Sequence, residues 1–131
     1  MTLTNFNNLY DYKPDIMGRD LWFVIKPNIE TGLYQGDCED YALSVLFYVI
    51  CKKSWLRFWM LLFMFEAKLC YVTTKNGGGH AVLRFGDMYI DNWTQDWVSK
   101  AQMEKLGHQF HNWKFIPTTV AIKMVMAKLR G

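Results

Sequence analysis

Several things this chain lacks narrow what it can be. Its three cysteines cannot all pair, and Cys38, Cys51 and Cys70 lack the close spacing of a zinc knuckle. At 131 residues the chain is long enough to bury a core without such staples, and Cys51 and Cys70, in apolar surroundings, read as small buried hydrophobes. A strong charge is missing too. Lys and Arg exceed Asp and Glu only enough for a net +3. The basic clusters Lys52, Lys53, Arg57 and Lys123, Lys128, Arg130 read as solvated helix faces, so nucleic acid is not an expected partner. The opening residues, Met1 to Tyr12, carry no basic start and no apolar stretch of a secretory signal. The most apolar window, Trp55 to Phe65, is about half the roughly 20 residues that span a bilayer, and Arg57 interrupts it. The expectation is a cytoplasmic chain forming a single domain over 1–131, with no internal repeat, linker or low-complexity segment.

What is abundant is apolar and aromatic surface, at 51% and 17% of residues. Residues 1–35 read as irregular, with turn signals at Lys13-Pro14-Asp15, Lys26-Pro27-Asn28 and Glu30-Thr31-Gly32 and one short apolar piece from Leu21 to Ile25. Ala42, Val45, Leu46, Val49 and Ile50 recur at helical spacing, predicting a helix from Asp37 or Cys38 to about Lys53. A second helix is predicted from Ser54, as cap, through Phe65. Glu66 to Thr74 alternates as a strand does. Asn76-Gly77-Gly78-Gly79 and Gly86-Asp87 then connect it to strands over His80–Phe85 and Met88–Asp91. A short helix over Trp97–Leu106, a strand over Phe110–Ile116 and a closing helix over Thr118–Leu129 complete the prediction. Helices followed by an antiparallel sheet make an α+β arrangement.

Three blocks on this framework carry chemistry. Gly36-Asp37-Cys38-Glu39-Asp40-Tyr41-Ala42 sets a cysteine at a helix start, where free N–H groups and the helix dipole favour thiolate over thiol. Gly79-His80-Ala81-Val82-Leu83 puts a histidine on a strand, and Tyr89-Ile90-Asp91-Asn92 ends the next strand with an aspartate. Cys38 as nucleophile, His80 as base and Asp91 as the group that orients the imidazole form a set for thiol catalysis. Taken singly, each has a blander reading: a buried cysteine, a core histidine, a turn-forming aspartate. Their order and placement outweigh those readings. His108 and His111 lack such neighbours and read as surface or helix-end residues.

Together the three blocks resemble the signature of the bacterial transglutaminase-like cysteine proteinases. With Ser54-Trp55-Leu56-Arg57-Phe58-Trp59, the compact chain is similar to small phage-encoded members. The resemblance runs from about Tyr34 to Trp93 and implies a papain-like or transglutaminase-like fold, with the nucleophile heading a helix packed on an antiparallel sheet. It implies that Cys38, His80 and Asp91 match the family triad, and that a protein or peptide is the substrate. Phage origin would place the chain in a host cytoplasm. No cofactor is required on this reading. Calcium is implied at Asp37 and Glu39, because carboxylates suit a hard cation, against the alternative that these acids only cap the helix. Backbone N–H of Cys38 is the natural oxyanion donor, with Gln35 or Trp22 as candidates for the second.

The function expected is hydrolysis of a peptide or amide bond through a thioester. Transamidation or deamidation of glutamine would use the same triad, with only the second nucleophile changed. A non-enzymatic alternative is a phage protein that binds a host protein on this scaffold. The helix at 54–65, with Trp55, Phe58, Trp59 and Leu62 on one face and Leu56, Met60 and Phe63 on another, either lies between layers or meets a partner or membrane surface.

Overall fold

Apolar side chains spaced for helices and strands fold here around an aromatic centre. The computed structural model describes residues 1–14, 22–111 and 117–130. Its elements, in order, are α1 (Leu3–Leu9), β1 (Tyr10–Tyr12), β2 (Tyr34–Gly36), α2 (Cys38–Ser44), a π-helical stretch (Val45–Ile50), α3 (Trp55–Phe63), β3 (Ala67–Thr73), β4 (Gly79–Phe85), β5 (Met88–Ile90), α4 (Lys100–Lys105), β6 (Gln109–His111) and α5 (Pro117–Arg130). The main sheet is antiparallel, in the order β5-β4-β3-β6. Helix α2 packs across β4.

The N-terminal third departs from expectation. Residues read as irregular form α1, capped by Thr2, and β1, which pairs in parallel with β2. Their sequence signal is weak because both elements are short and held from outside. Phe6 is fully buried and its ring meets those of Tyr10, Tyr34, Tyr41 and Tyr48. The apolar piece ending at Ile25 is not a strand over its described residues. Its N–H groups go to side chains of α2 instead, Phe23 to Asp40 Oδ1 and Ile25 to Ser44 Oγ. Leu21, Asp15 and positions 112–116 of the predicted fourth strand lie outside the described residues.

The predicted first long helix divides in two. Helix α2 ends at Ser44, and the chain continues with a wider turn closed by Cys51 N–H to the Leu46 carbonyl, an i to i+5 bond. Lys52 and Lys53 then reverse the chain at φ +50° and +67°. Ser54 caps α3 as expected, its hydroxyl accepting from Arg57 N–H. Helix α3 buries Phe58 and Leu62 and leaves Leu56, Met60 and Phe63 exposed, so one of its two apolar faces belongs to the core.

The start of α2 fixes the cysteine. Asp37 accepts from Asp40 N–H at 3.2 Å while Asp40 accepts from Asp37 N–H at 3.3 Å, a reciprocal cap. Burial and the adjacent Asp37 carboxylate push the Asp40 carboxyl well above the usual carboxylate range. Gly36 just before this cap has no room for a side chain, since a Cβ would meet Asp40 Cβ at 2.7 Å and Ile25 Cδ1 at 2.8 Å.

Candidate active site

Cys38 lies at the first position of α2, half-buried against the sheet. Strand β5 pairs with β4 only over Leu83–Phe85, and beyond it the N–H of Ala81, the residue after His80, donates to the cysteine sulfur. Cys38 is thus placed beside the part of β4 that carries His80 and Ala81. His80 is buried and its Nε2–H donates to Asp91 Oδ2 at 2.8 Å, which leaves Nδ1 as the ring nitrogen free to exchange a proton with another group. Trp93 stacks on the imidazole at 4.4 Å between centroids and 23° between planes, with 57% of its own surface exposed. Its ring covers one face of the imidazole beside the His80–Asp91 bond.

Asp91 follows the last residue of β5 and is fully buried. Its Oδ1 closes a turn by accepting Thr94 N–H at 2.7 Å and Trp93 N–H at 3.2 Å. Asn7, from α1, braces the same turn by donating to the Gln95 carbonyl at 2.7 Å. Burial alone would raise the carboxyl. Hydrogen bonds from His80, Thr94 and a second histidine, His108, outweigh that and hold it down at about 2.

His108 corrects the sequence reading. It stands at a helix end but not on the surface: its side chain is fully buried and Nε2 donates to Asp91 Oδ2 at 2.9 Å. Gly107, at φ +95°, ends α4 with its N–H on the Glu104 carbonyl, and His108 N–H reaches the Met103 carbonyl. That pair of bonds is a Schellman motif, whose second residue past the cap turns back onto the helix. Gly107 after a short helix was the available signal that residue 108 points inward. His111 is exposed as expected and pairs with Thr73 Oγ1 at 2.6 Å.

The thiol also departs from expectation. Its S–H donates to Glu39 Oε2 at 3.2 Å. Burial first, then the Glu39 and Asp37 charges, push the Cys38 pKa well above the ordinary thiol range, against the one N–H from Ala81. The helix start is there, but burial, with two carboxylates beside it, reverses its effect. In wild-type protein, iodoacetamide should therefore label Cys38 slowly at pH 7. Removing the charge with Glu39→Gln should speed that labelling about tenfold, one pKa unit of thiolate. Peptide mapping of the alkylated protein reads this out, and an unchanged rate would contradict the assigned role of Glu39.

Asp37 Oδ1 caps α2 and Glu39 Oε2 accepts from the thiol, so both acids have a role within the fold beside the one the resemblance implies as cation ligands. Among the described residues, the group with metal-ligand character is His80, Asp91 and His108, whose donor atoms lie within 4.8 Å of one another. Nitrogen donors of this kind suit zinc better than calcium. Here each Nε2 contacts Oδ2 directly, so the three side chains satisfy one another. Gln35 Nε2 donates to Asp11 Oδ2 at 3.1 Å. Trp22 is buried beneath the Lys123 ammonium, 5.7 Å from the ring centroid. A cavity of about 790 Å³ lined by Trp22, Gln35, Phe47 and Trp55 is not lined by Cys38, His80 or Asp91.

A cysteine-headed helix packed on an antiparallel sheet is the arrangement of the papain-like, transglutaminase-like fold. Solved structures agree. Legionella pneumophila LapG superposes with a TM-score of 0.58 at 15% identity, over 98% of this chain and 74% of that one. Its EGTA-treated form gives 0.59 and 16% over the same shares. No protein-family model matches the sequence, and no curated protein matches it. Among the described residues no helix is long and apolar enough to cross a membrane.

Proposed function

We propose that the chain is a single catalytic unit, a cysteine hydrolase that cleaves a peptide or amide bond. Cys38 is the nucleophile, His80 the base and then the acid, and Asp91 the group that holds His80. The observation that carries this reading is the chain of contacts from Cys38 Sγ through Ala81 N–H to β4, and from His80 Nε2 to buried Asp91. Because the resting thiol is protonated, proton transfer accompanies attack instead of preceding it. His80 Nδ1 takes the S–H proton as Sγ bonds to the carbonyl carbon. The tetrahedral intermediate then expels the amine, to which the imidazolium returns that proton, leaving a thioester. Water, deprotonated by His80, attacks the thioester, and the carboxylate product and the thiol separate. Backbone N–H of Cys38 is the natural donor to the oxyanion, with Gln35 as the second if it leaves Asp11.

Mass spectrometry on a peptide library tests the assignment. A mass increment on the Cys38 peptide together with cleaved backbones supports hydrolysis. A glutamine gaining about one mass unit, or joined to an amine, supports the deamidase or transglutaminase alternative. No adduct on Cys38 with any substrate would leave the binding-module reading.

The exposed face of α3 bears on partners. Leu56, Met60 and Phe63 are 73%, 50% and 52% exposed, and Met64 and Phe65 continue the apolar patch. Lys52, Lys53 and Arg57, all exposed, flank one end of it, and exposed Glu66 follows Phe65 at the other. An apolar patch with cations at one end fits an anionic lipid surface. Flotation with vesicles of phosphatidylcholine containing about one-third phosphatidylserine should carry the protein upward, and Leu56→Glu with Phe63→Glu should abolish this. A protein that stays below, or that dimerises through the patch by light scattering, would refute lipid as the occupant.

A further inference from the structure

We infer that His108 is a positioning residue for the site, fixing the Asp91 oxygen on which His80 is held. Its consequence for catalysis rests on the triad reading; its geometry does not.

Asp91 offers two carboxylate oxygens, and all the described donors to them are fixed in place. Oδ1 is tied to the backbone by Trp93 and Thr94 N–H, whereas Oδ2 has only side-chain donors, His80 and His108. A carboxylate that is ionised can only accept, so both rings must carry their proton on Nε2. In the neutral ring that tautomer leaves His80 Nδ1 as the acceptor, as a base for the Cys38 thiol requires. The rings are also packed as a set: His108 stands edge-on to His80 at 5.4 Å and 89°, and edge-on to Trp93 at 5.4 Å and 85°.

Packing alone does not account for a histidine at this position. The second residue past a Schellman cap commonly makes an apolar contact with its helix, and Met103, the residue it would cover, is fully buried. An apolar side chain would serve there. Histidine instead leaves Nδ1 buried without a hydrogen-bond partner, a liability in a closed interior. What it supplies in return is a second N–H on Oδ2. From α2, Tyr41 feels the Asp91 charge, and Asp96 acts on the same phenol.

Proton and ¹⁵N NMR of the histidine rings tests this without any substrate. In the wild-type protein, His80 and His108 should each show an Nε2–H signal protected from solvent exchange. In His108→Leu, which keeps an apolar contact on Met103, the His80 Nε2–H should exchange at least tenfold faster. His108→Gln, whose amide nitrogen reaches the position of Nε2, should restore the protection, whereas His108→Asn, one bond shorter, should not. An unchanged His80 signal in the Leu or Asn variant overturns the inference, and so does a Gln variant no better than Asn. If His108→Leu does not fold, the Gln and Asn comparison decides alone. An absence of hydrolysis in every variant, with these NMR differences present, would refute the hydrolase reading and not the positioning role.

Discussion

Cys38→Ala should abolish turnover while the protein stays folded. If Sγ forms the bond to the substrate, its removal leaves only binding and oxyanion stabilisation, and the rate should fall by about four to six orders of magnitude. The fold should scarcely respond. Sγ contributes one hydrogen bond to Glu39 and accepts one N–H from Ala81, while α2 is held by its reciprocal Asp37–Asp40 cap and by fully buried Tyr41, Ala42 and Leu43. A change in unfolding free energy of about 1 kcal/mol or less is expected. Both quantities come from one preparation, peptide-library cleavage for the rate and urea titration for stability. Cleavage at a tenth of the wild-type rate or more would remove Cys38 from the nucleophile's role.

Asp91→Asn should be nearly as damaging, for a different reason. An amide here presents an NH₂ group toward two Nε2–H donors. Relief requires His80 to move its proton to Nδ1 so that Nε2 can accept. Nδ1 then no longer takes the thiol proton, and a loss of about ten-thousand-fold in kcat is expected. Stability should change with pH in a way that identifies the carboxylate. The folded pKa near 2 lies below the unfolded value near 4, so Asp91 adds roughly 2 kcal/mol above pH 4. That contribution fades as pH falls through about 2. Circular dichroism of acid unfolding should show this slope in the wild type and its absence in Asp91→Asn. Identical acid profiles would mean that the buried carboxylate is not the group titrating.

The sequence by itself determined the parts whose causes are local. Alternation over Ala67–Thr73, turn glycines before His80 and after Phe85, and Ser54 as a cap are recorded within a few residues of where they act, and β3, β4, β5 and α3 form there. The cysteine, histidine and aspartate blocks were legible for the same reason: each sits at the edge of such an element. Tertiary structure decided what depends on distant contacts. Residues Leu3–Tyr12 fold because Phe6 and Tyr10 meet rings brought from β2, α2 and the π-helical stretch. His108 becomes part of the site because the end of α4 turns it onto Asp91, 17 residues back along the chain. The protonated state of Cys38 was likewise out of reach. A helix start favours the thiolate in any sequence, but burial against β4 and the rotamer that points Glu39 at the sulfur outweigh it. A dipole is implied by the backbone alone; desolvation and side-chain direction exist only once the layers have packed.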